Sequence, residues 1–167
     1  GVAVAEGPTV ELPAWTRPAT APIGPADALT RIVYLLDRSL GPGQKIRAYR
    51  RARDVVEEVV DTAGLADPEA PASTRPLTHL PGIGRSTAAV ISEALAGEVP
   101  AKLVELEATT VVALSAQGAP YREALVGDCH LHSDWSDGGA PIRDMAVSAL
   151  ALGHDYLVLT DHSPRLT

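Results

Sequence analysis

Between Gly127 and Asp161 the chain reads as strand, helix, strand, and that order constrains the fold more than any other feature. Gly127 to His132 is a short strand candidate, Ser133 to Ala140 a polar loop, and Pro141 to Leu152 a helix with proline in its first turn. Tyr156 to Asp161 is a second apolar strand, and strands so spaced about one helix form a parallel βαβ unit. Two parallel strands and one helix cannot cover both faces of a parallel sheet. This segment is therefore expected to be the beginning of a sheet or barrel, truncated in this chain or completed by another chain.

The part before it has a different texture. Residues 1 to 25 contain Pro8, Pro13, Pro18, Pro22 and Pro25, which predicts an extended proline-rich arm with no regular element. From Asp27, read as an N-cap, Leu29, Ile32, Val33, Leu36 and Leu40 recur at helical spacing until Gly41, Pro42 and Gly43. A second helix from about Gln44 places Ala48, Tyr49, Ala52, Val55, Val56, Val59 and Val60 on one stripe and closes at Gly64. Ala66 to Ala72 reads as a loop, followed by a short helix from Ser73 or Thr74 to His79. Further helices are expected over Arg85 to Ala96 and Pro100 to Leu114, with 115 to 126 as a linker. The predicted fold is thus α plus α/β, with an arm (1 to 25), a helical domain (26 to 114) and an incomplete α/β domain (127 to 167).

Charge separates the same way. Residues 1 to 53 carry eight basic and four acidic side chains, whereas 54 to 167 carry six and seventeen, for an overall net charge of −7. A uniformly basic nucleic-acid binder is excluded, and the asymmetry suggests one surface for a polyanion and another for cations. No apolar run approaches the roughly 18 residues of a membrane span, and no charged-then-apolar leader is visible. With Cys129 the one cysteine, no internal disulfide can form. A reducing, cytoplasmic setting without a membrane partner is expected. Cys129 itself is expected to be a small buried hydrophobe, because alternation turns it away from the histidines.

Four of the five histidines lie after Cys129, and three of these sit among aspartates. His130 and His132, at i and i+2 on a strand, project from one face and can share a metal or bridge adjacent ones. Asp137 follows, with Gly138 and Gly139 to turn the loop back toward the strand. Thr160, Asp161 and His162 end the second strand, at the carboxyl edge where parallel architectures place their sites. Imidazoles with carboxylates suit zinc, iron or manganese. His154, after Gly153, reads as part of a helix terminus, and Trp135 either walls the site or packs its loop.

The stretch Gly127-Asp128-Cys129-His130-Leu131-His132-Ser133-Asp134-Trp135-Ser136-Asp137-Gly138, with Leu159-Thr160-Asp161-His162-Ser163-Pro164, resembles motifs one and two of the PHP (polymerase and histidinol phosphatase) superfamily. The resemblance implies a distorted seven-stranded β/α barrel and a site for up to three divalent ions that hydrolyses phosphoesters. It makes His130, His132, Asp137 and His162 the metal ligands, with Asp128 and Asp161 orienting imidazoles from behind. The later motifs have no counterpart, so a chain of this extent is expected to be inactive alone.

A second constellation is Leu80-Pro81-Gly82-Ile83-Gly84-Arg85-Ser86-Thr87-Ala88. Glycines let a backbone approach phosphate closely, and free N–H groups at the following helix start point at the anion. The segment resembles a helix-hairpin-helix motif, which implies backbone-phosphate contacts at Gly82, Gly84, Arg85 and Ser86, and a monovalent cation on the carbonyls of Thr78, Leu80 and Ile83. Lys45, Arg47, Arg50, Arg51 and Arg53 form a cationic run, of which Lys45, Arg47, Arg50 and Arg51 are the expected DNA contacts. Around them, Ala48-Tyr49-Arg50-Arg51-Ala52 resembles the amino-terminal eight-kilodalton domain of family X DNA polymerases. The bland reading of the run is a solvated face paired with Asp54 and Glu57, and that of the hairpin a packing device built on Ile83, Ala88 and Ile91.

Lyase-competent family members carry a lysine nucleophile where this chain has Val90, so no deoxyribose-phosphate lyase activity is expected. The short spacing to Gly127 leaves no room for a polymerase palm. The leading expectation is a metal-dependent phosphoesterase acting on nucleic-acid ends or nucleotides in DNA repair or processing. The alternatives are a non-enzymatic DNA-binding or adaptor module, and a small-molecule phosphatase of the histidinol-phosphate type.

Overall fold

The computed structural model describes residues 11–63, 77–110 and 115–163, with the side chains of 60–63 set aside. They form two compact units, one within Arg17–Ala113 and one drawn from Gly1–Thr16 and Leu114–Thr167. Among the described residues the chain is mostly helical with one small parallel sheet, in keeping with an α plus α/β class. Among the described residues no helix is long and apolar enough to cross a membrane.

The first unit is a helical core around α1 (Pro25–Arg38), which packs against α2 (Gly43–Ala63), α3 (Arg85–Leu95) and α4 (Ala101–Thr110). Ala28, Leu29 and Ile32 of α1 are fully buried, joined by Tyr49, Ala52 and Val56 of α2, Val90 and Ile91 of α3, and Leu103 and Leu106 of α4. Helix α1 begins two residues before the expected Asp27: Gly24 is the N-cap and Pro25 supplies a pre-set φ, leaving Asp27 to face the positive helix end. Arg31 is buried within this core, its guanidinium bidentate on Glu107 of α4 at 2.7 and 3.1 Å. Arg53 likewise leaves the expected cationic run, for it is buried beside Ala52 and paired with Asp54 at 2.9 Å.

Helix ends in both units share one device. After α3, Gly97 at φ +75° donates to Ala94 O and Glu98 N–H donates to Glu93 O. After α6 (Ile142–Ala151), Gly153 at φ +75° and His154 close on Leu150 O and Ala149 O in the same pattern. Helix α1 uses the pattern too, with Leu40 N–H on Asp37 O and Gly41 N–H on Leu36 O. There the left-handed position, φ 54°, falls on leucine, which is 93% exposed.

The second unit contains α5 (Ala119–Ala124), β1 (Gly127–Leu131), α6 and β2 (Tyr156–Leu159), with β1 and β2 parallel. Two expectations are corrected here. Part of the 115 to 126 segment is the short helix α5, whose Arg122 donates to the carbonyl of Leu152 at the end of α6. The proline-rich arm contains a 3-10 turn over Ala14–Thr16, with Trp15 buried and the turn against α6. A single turn needs no donor from Pro13, whose carbonyl accepts Thr16 N–H at 3.1 Å.

The register pairs Asp128 with Leu157 and Leu131 with Leu159, so β1 holds one extra residue between them. This bulge interrupts strict alternation at Cys129 and His130. Cys129 is exposed rather than buried, because the ladder is broken there and nothing among the described residues covers that face. Its thiol lies 3.9 Å from the Tyr156 hydroxyl and is the main reason that phenol is held above its ordinary range.

Gly64, the 66 to 72 loop, the start of the helix leading to His79, residues 111 to 114, Pro8 and Pro164 lie outside the described residues. Leu77–His79 is a 3-10 turn.

Candidate metal centre and candidate phosphate-binding hairpin

The carboxyl ends of β1 and β2 bring His130, His132, Asp137 and His162 together. His132 is the hub: its Nδ1 hydrogen-bonds Asp137 Oδ1 at 2.7 Å and its Nε2 lies 3.0 Å from His130 Nε2. The rings of His130 and His162 each stand 4.8 Å from that of His132, centroid to centroid. His162 Nε2 is 3.7 Å from the other Asp137 oxygen. One ligand atom from each of His132, Asp137 and His162 fits within a 4.8 Å span. The His132 bond, ahead of every other influence, holds the Asp137 carboxyl below the ordinary carboxylate range.

This donor set suits a divalent ion on chemical grounds. A carboxylate accepting Nδ1–H leaves the Nε2 lone pair of His132 free, the arrangement by which proteins orient metal-binding imidazoles. A second imidazole nitrogen already faces that lone pair. Nitrogen and oxygen donors of this kind take zinc, manganese or iron.

The two other aspartates act on backbone and hydroxyls. Asp128 Oδ1 accepts the His130 N–H at 2.9 Å, occupying a donor that the bulge removes from the ladder. Asp161 grips the loop after β1: its carboxylate accepts Ser133 N–H and Ser133 Oγ–H, both at 2.6 Å, and Ser136 Oγ–H at 2.7 Å. These bonds, that of the Ser133 side chain first and Ser136 second, hold the Asp161 carboxyl below its usual range. It is Asp137, rather than Asp128 or Asp161, that the structure sets against an imidazole.

Ser133 was read from sequence only as a loop residue, yet it is fully buried and is the pivot of the loop. Its carbonyl accepts the N–H groups of Ser136 and Gly138 at 3.1 and 3.0 Å. The loop closes so tightly at Gly138 that any side chain there would overlap the His132 carbonyl. The signal in the sequence was a Ser-x-x-Ser pair before Asp137-Gly138, which gains meaning only when β2 brings Asp161 alongside.

In the helical unit, Gly82 and Gly84 of the hairpin before α3 and Arg85 and Ser86 of its first turn are all exposed. Gly82 stands at φ +90°, a conformation that favours glycine. Thr87 Oγ1 accepts the Gly84 N–H and donates to the Gly84 carbonyl, each at 3.0 Å, fastening the first turn of α3. Lys45 shares with Gly84, Arg85, Ser86 and Lys102 a cavity of about 540 Å³ that Tyr49 and Val90 also line. Lys102 and Glu93, on that wall, were missed by the sequence reading, since neither adjoins a motif.

Lys45, Arg47 and Arg51 are exposed on α2, and Arg50 is half-buried with its Nε lacking a hydrogen-bond partner among the described residues. Arg31 pairs with Glu107, Arg53 with Asp54 and Lys102 with Glu105, and none of these ion pairs takes up Lys45, Arg47, Arg50 or Arg51. Of the carbonyls of Thr78, Leu80 and Ile83, that of Leu80 accepts the Ile83 N–H at 3.1 Å.

No family model matches the chain. No solved structure matches it. Among curated proteins, a 40-residue stretch, 24% of this chain, is 50% identical to the DNA polymerase/3′-5′ exonuclease PolX of Bacillus subtilis (strain 168). The chain spans about 7% of that relative's length.

Proposed function

We propose that the chain belongs to a PHP-type, metal-dependent phosphoesterase acting on nucleic-acid ends or nucleotides, with a helix-hairpin-helix head that holds DNA backbone. The observation that carries the reading is the convergence of three imidazoles and a carboxylate at one edge of a parallel βαβ unit. His130, His132, His162 and Asp137 would hold the divalent ions. Such ions polarise a phosphoryl oxygen and make water nucleophilic at neutral pH. The chain's own contribution is positional: Asp137 fixes the His132 ring, Asp128 fixes the backbone of His130, and Asp161 fixes the loop that carries Asp137. On this reading β1, α6 and β2 are the first unit of a barrel, whose further strands come from the same polypeptide or another.

The helical head adds an anion-binding face. The amides at the start of α3, with Arg85 and Ser86 beside them and the α2 cations next to the hairpin, present donors and positive charge to a phosphate. The segment similar to PolX, named a DNA polymerase and 3′-5′ exonuclease, supports a DNA-processing role.

The test is the metal-to-protein ratio of the purified chain, by elemental mass spectrometry after dialysis against metal-free buffer, beside His132→Ala. Bound zinc, manganese or iron that is lost in the variant is the expected result. Equal metal content in both proteins would overturn the ligand assignment, and a metal-free chain that still binds DNA would favour an adaptor.

A further inference from the structure

The turn between α1 and α2 holds a leucine in water at a cost to the fold. Leu40 is 93% exposed, more than any other large apolar side chain among the described residues. It also stands at φ 54°, the left-handed conformation that glycine takes without penalty and a leucine does not. The core of the helical unit closes across α1, α2, α3 and α4 without it, so packing does not ask for a side chain there. Its backbone is nevertheless fixed on both sides. Leu40 N–H donates to Asp37 O at 3.0 Å and Gly41 N–H donates to Leu36 O at 2.8 Å. A Cβ at Gly41 would come within 2.9 Å of that Leu36 carbonyl oxygen, which shows how tightly the turn is drawn. An aliphatic side chain is thus presented to solvent from a fixed turn, and strain of this kind points to a use outside the fold.

The surroundings select what it meets. Arg38 precedes it and Lys45 and Arg47 follow it, all three exposed, against one acid, Asp37, in the stretch 37–47. The first turn of α2 folds back on the loop, Lys45 N–H donating to Pro42 O at 2.8 Å. Leu36, four residues before Leu40, lines the same cavity as Lys45, Gly84 and Arg85, so Leu40 belongs to the end of α1 that borders the start of α3. A free phosphate gains nothing from a leucine. Nucleic acid joins a polyanionic backbone to apolar base faces, and proteins that bend it insert aliphatic wedges between base steps.

We infer that Leu40 is an apolar wedge that enters between neighbouring bases of DNA while the cations beside it hold the backbone. The inference rests on the reading of the helical head as a DNA-binding unit and adds to it a contact with the bases. Such a wedge reads no hydrogen-bond code; it favours steps that unstack easily, such as TA.

The test titrates the full chain against a short duplex whose adenines at TA steps are replaced by 2-aminopurine, an analogue that fluoresces when unstacked, with the anisotropy of a terminal dye read in parallel. Leu40→Gly is the informative variant, since glycine suits φ 54° and the side chain is removed without harm to the fold. The native chain is expected to raise 2-aminopurine emission on binding. Leu40→Gly is expected to bind about tenfold more weakly, what half-burying a leucine side chain is worth, with no rise in emission. Its dependence on salt stays unchanged, because no phosphate contact is lost, and Leu40→Met restores both signals. Equal affinity and emission in the native and Leu40→Gly chains would overturn the wedge and leave the head as a backbone binder. A native chain that binds no DNA at about 50 mM salt would overturn both readings. Self-association of the native chain that Leu40→Gly abolishes, measured by sedimentation, would assign the leucine to a protein contact and overturn the wedge.

Discussion

Replacing Gly84 by aspartate is expected to stabilise the helical unit and weaken its hold on DNA at the same time. Gly84 is the N-cap of α3 at φ −97° and ψ 177°, an extended conformation open to any residue. No atom lies within 4 Å of a Cβ placed there, so the new side chain meets open space. An N-cap aspartate accepts a first-turn N–H, worth a few tenths of a kcal/mol over glycine, and its charge faces the positive helix end for about 0.3 to 1 kcal/mol more. A gain of about 0.5 to 1 kcal/mol raises Tm by roughly 2 to 8 °C for a domain of this size. The effect on a docked phosphate has the opposite sign. Two like charges about 4 Å apart repel by about 1 kcal/mol in bulk water and about 4 kcal/mol at the effective dielectric of a protein surface. That corresponds to a loss of affinity between about fivefold and a thousandfold. Thermal melting and fluorescence anisotropy with a short labelled DNA duplex, at about 50 and 200 mM salt, read both signs in one protein. A higher Tm with unchanged DNA affinity would refute the hairpin as the phosphate contact. Gly82→Ala is a poorer probe, because φ +90° at that position strains any other residue and confounds binding with folding.

Leu40→Gly is expected to stabilise α1 by about 1 kcal/mol, since it relieves the left-handed strain at an exposed position that glycine fills in two other helices; chemical denaturation measures it. Arg31→Ala leaves the half-buried Glu107 without its guanidinium and is expected to cost about 3 kcal/mol in urea unfolding, with most of the loss recovered by Arg31→Met combined with Glu107→Leu. Gly138→Ala forces the loop away from the His132 carbonyl, so bound metal falls while the melting of the helical unit is unchanged. Ser133→Ala removes one donor to Asp161 and is expected to weaken cobalt binding, followed by its visible absorption, without touching any proposed ligand.

What the sequence disclosed and what it hid follow one physical division. The helices of the first unit were legible because their apolar residues recur at 3.6 spacing and stop at glycines and prolines, as at Leu29, Ile32 and Leu36 before Gly41. The start of α1 was misplaced because a carboxylate such as Asp27 serves equally as an N-cap or as a first-turn charge, and only the structure shows Gly24 capping. Helix α5 escaped because six residues beginning beside Pro120 leave too little periodicity to detect. Arg53 belongs by spacing to the cationic run, yet it lies buried beside Ala52, which spacing alone does not reveal. Cys129 was misjudged because alternation presumes an unbroken ladder, and a one-residue bulge leaves no trace in composition.

The same division explains the site. His130 and His132 stand two residues apart, so their convergence can be anticipated from strand geometry alone. The clamp on Ser133 could not, because Asp161 arrives 28 residues later and only parallel pairing of β1 with β2 brings it to the loop. That clamp is what gives the motif residues a fixed geometry. Without it, Asp137, itself exposed, would hang from a glycine-rich loop, and a 2.7 Å bond to His132 would have to overcome the entropy of that loop by itself. With Ser133 buried and both serine hydroxyls on one carboxylate, much of the ordering is already made before any ion or substrate arrives. The side chains that carry chemistry are therefore the ones a motif reveals, and the side chains that hold them in register are the ones only the fold reveals.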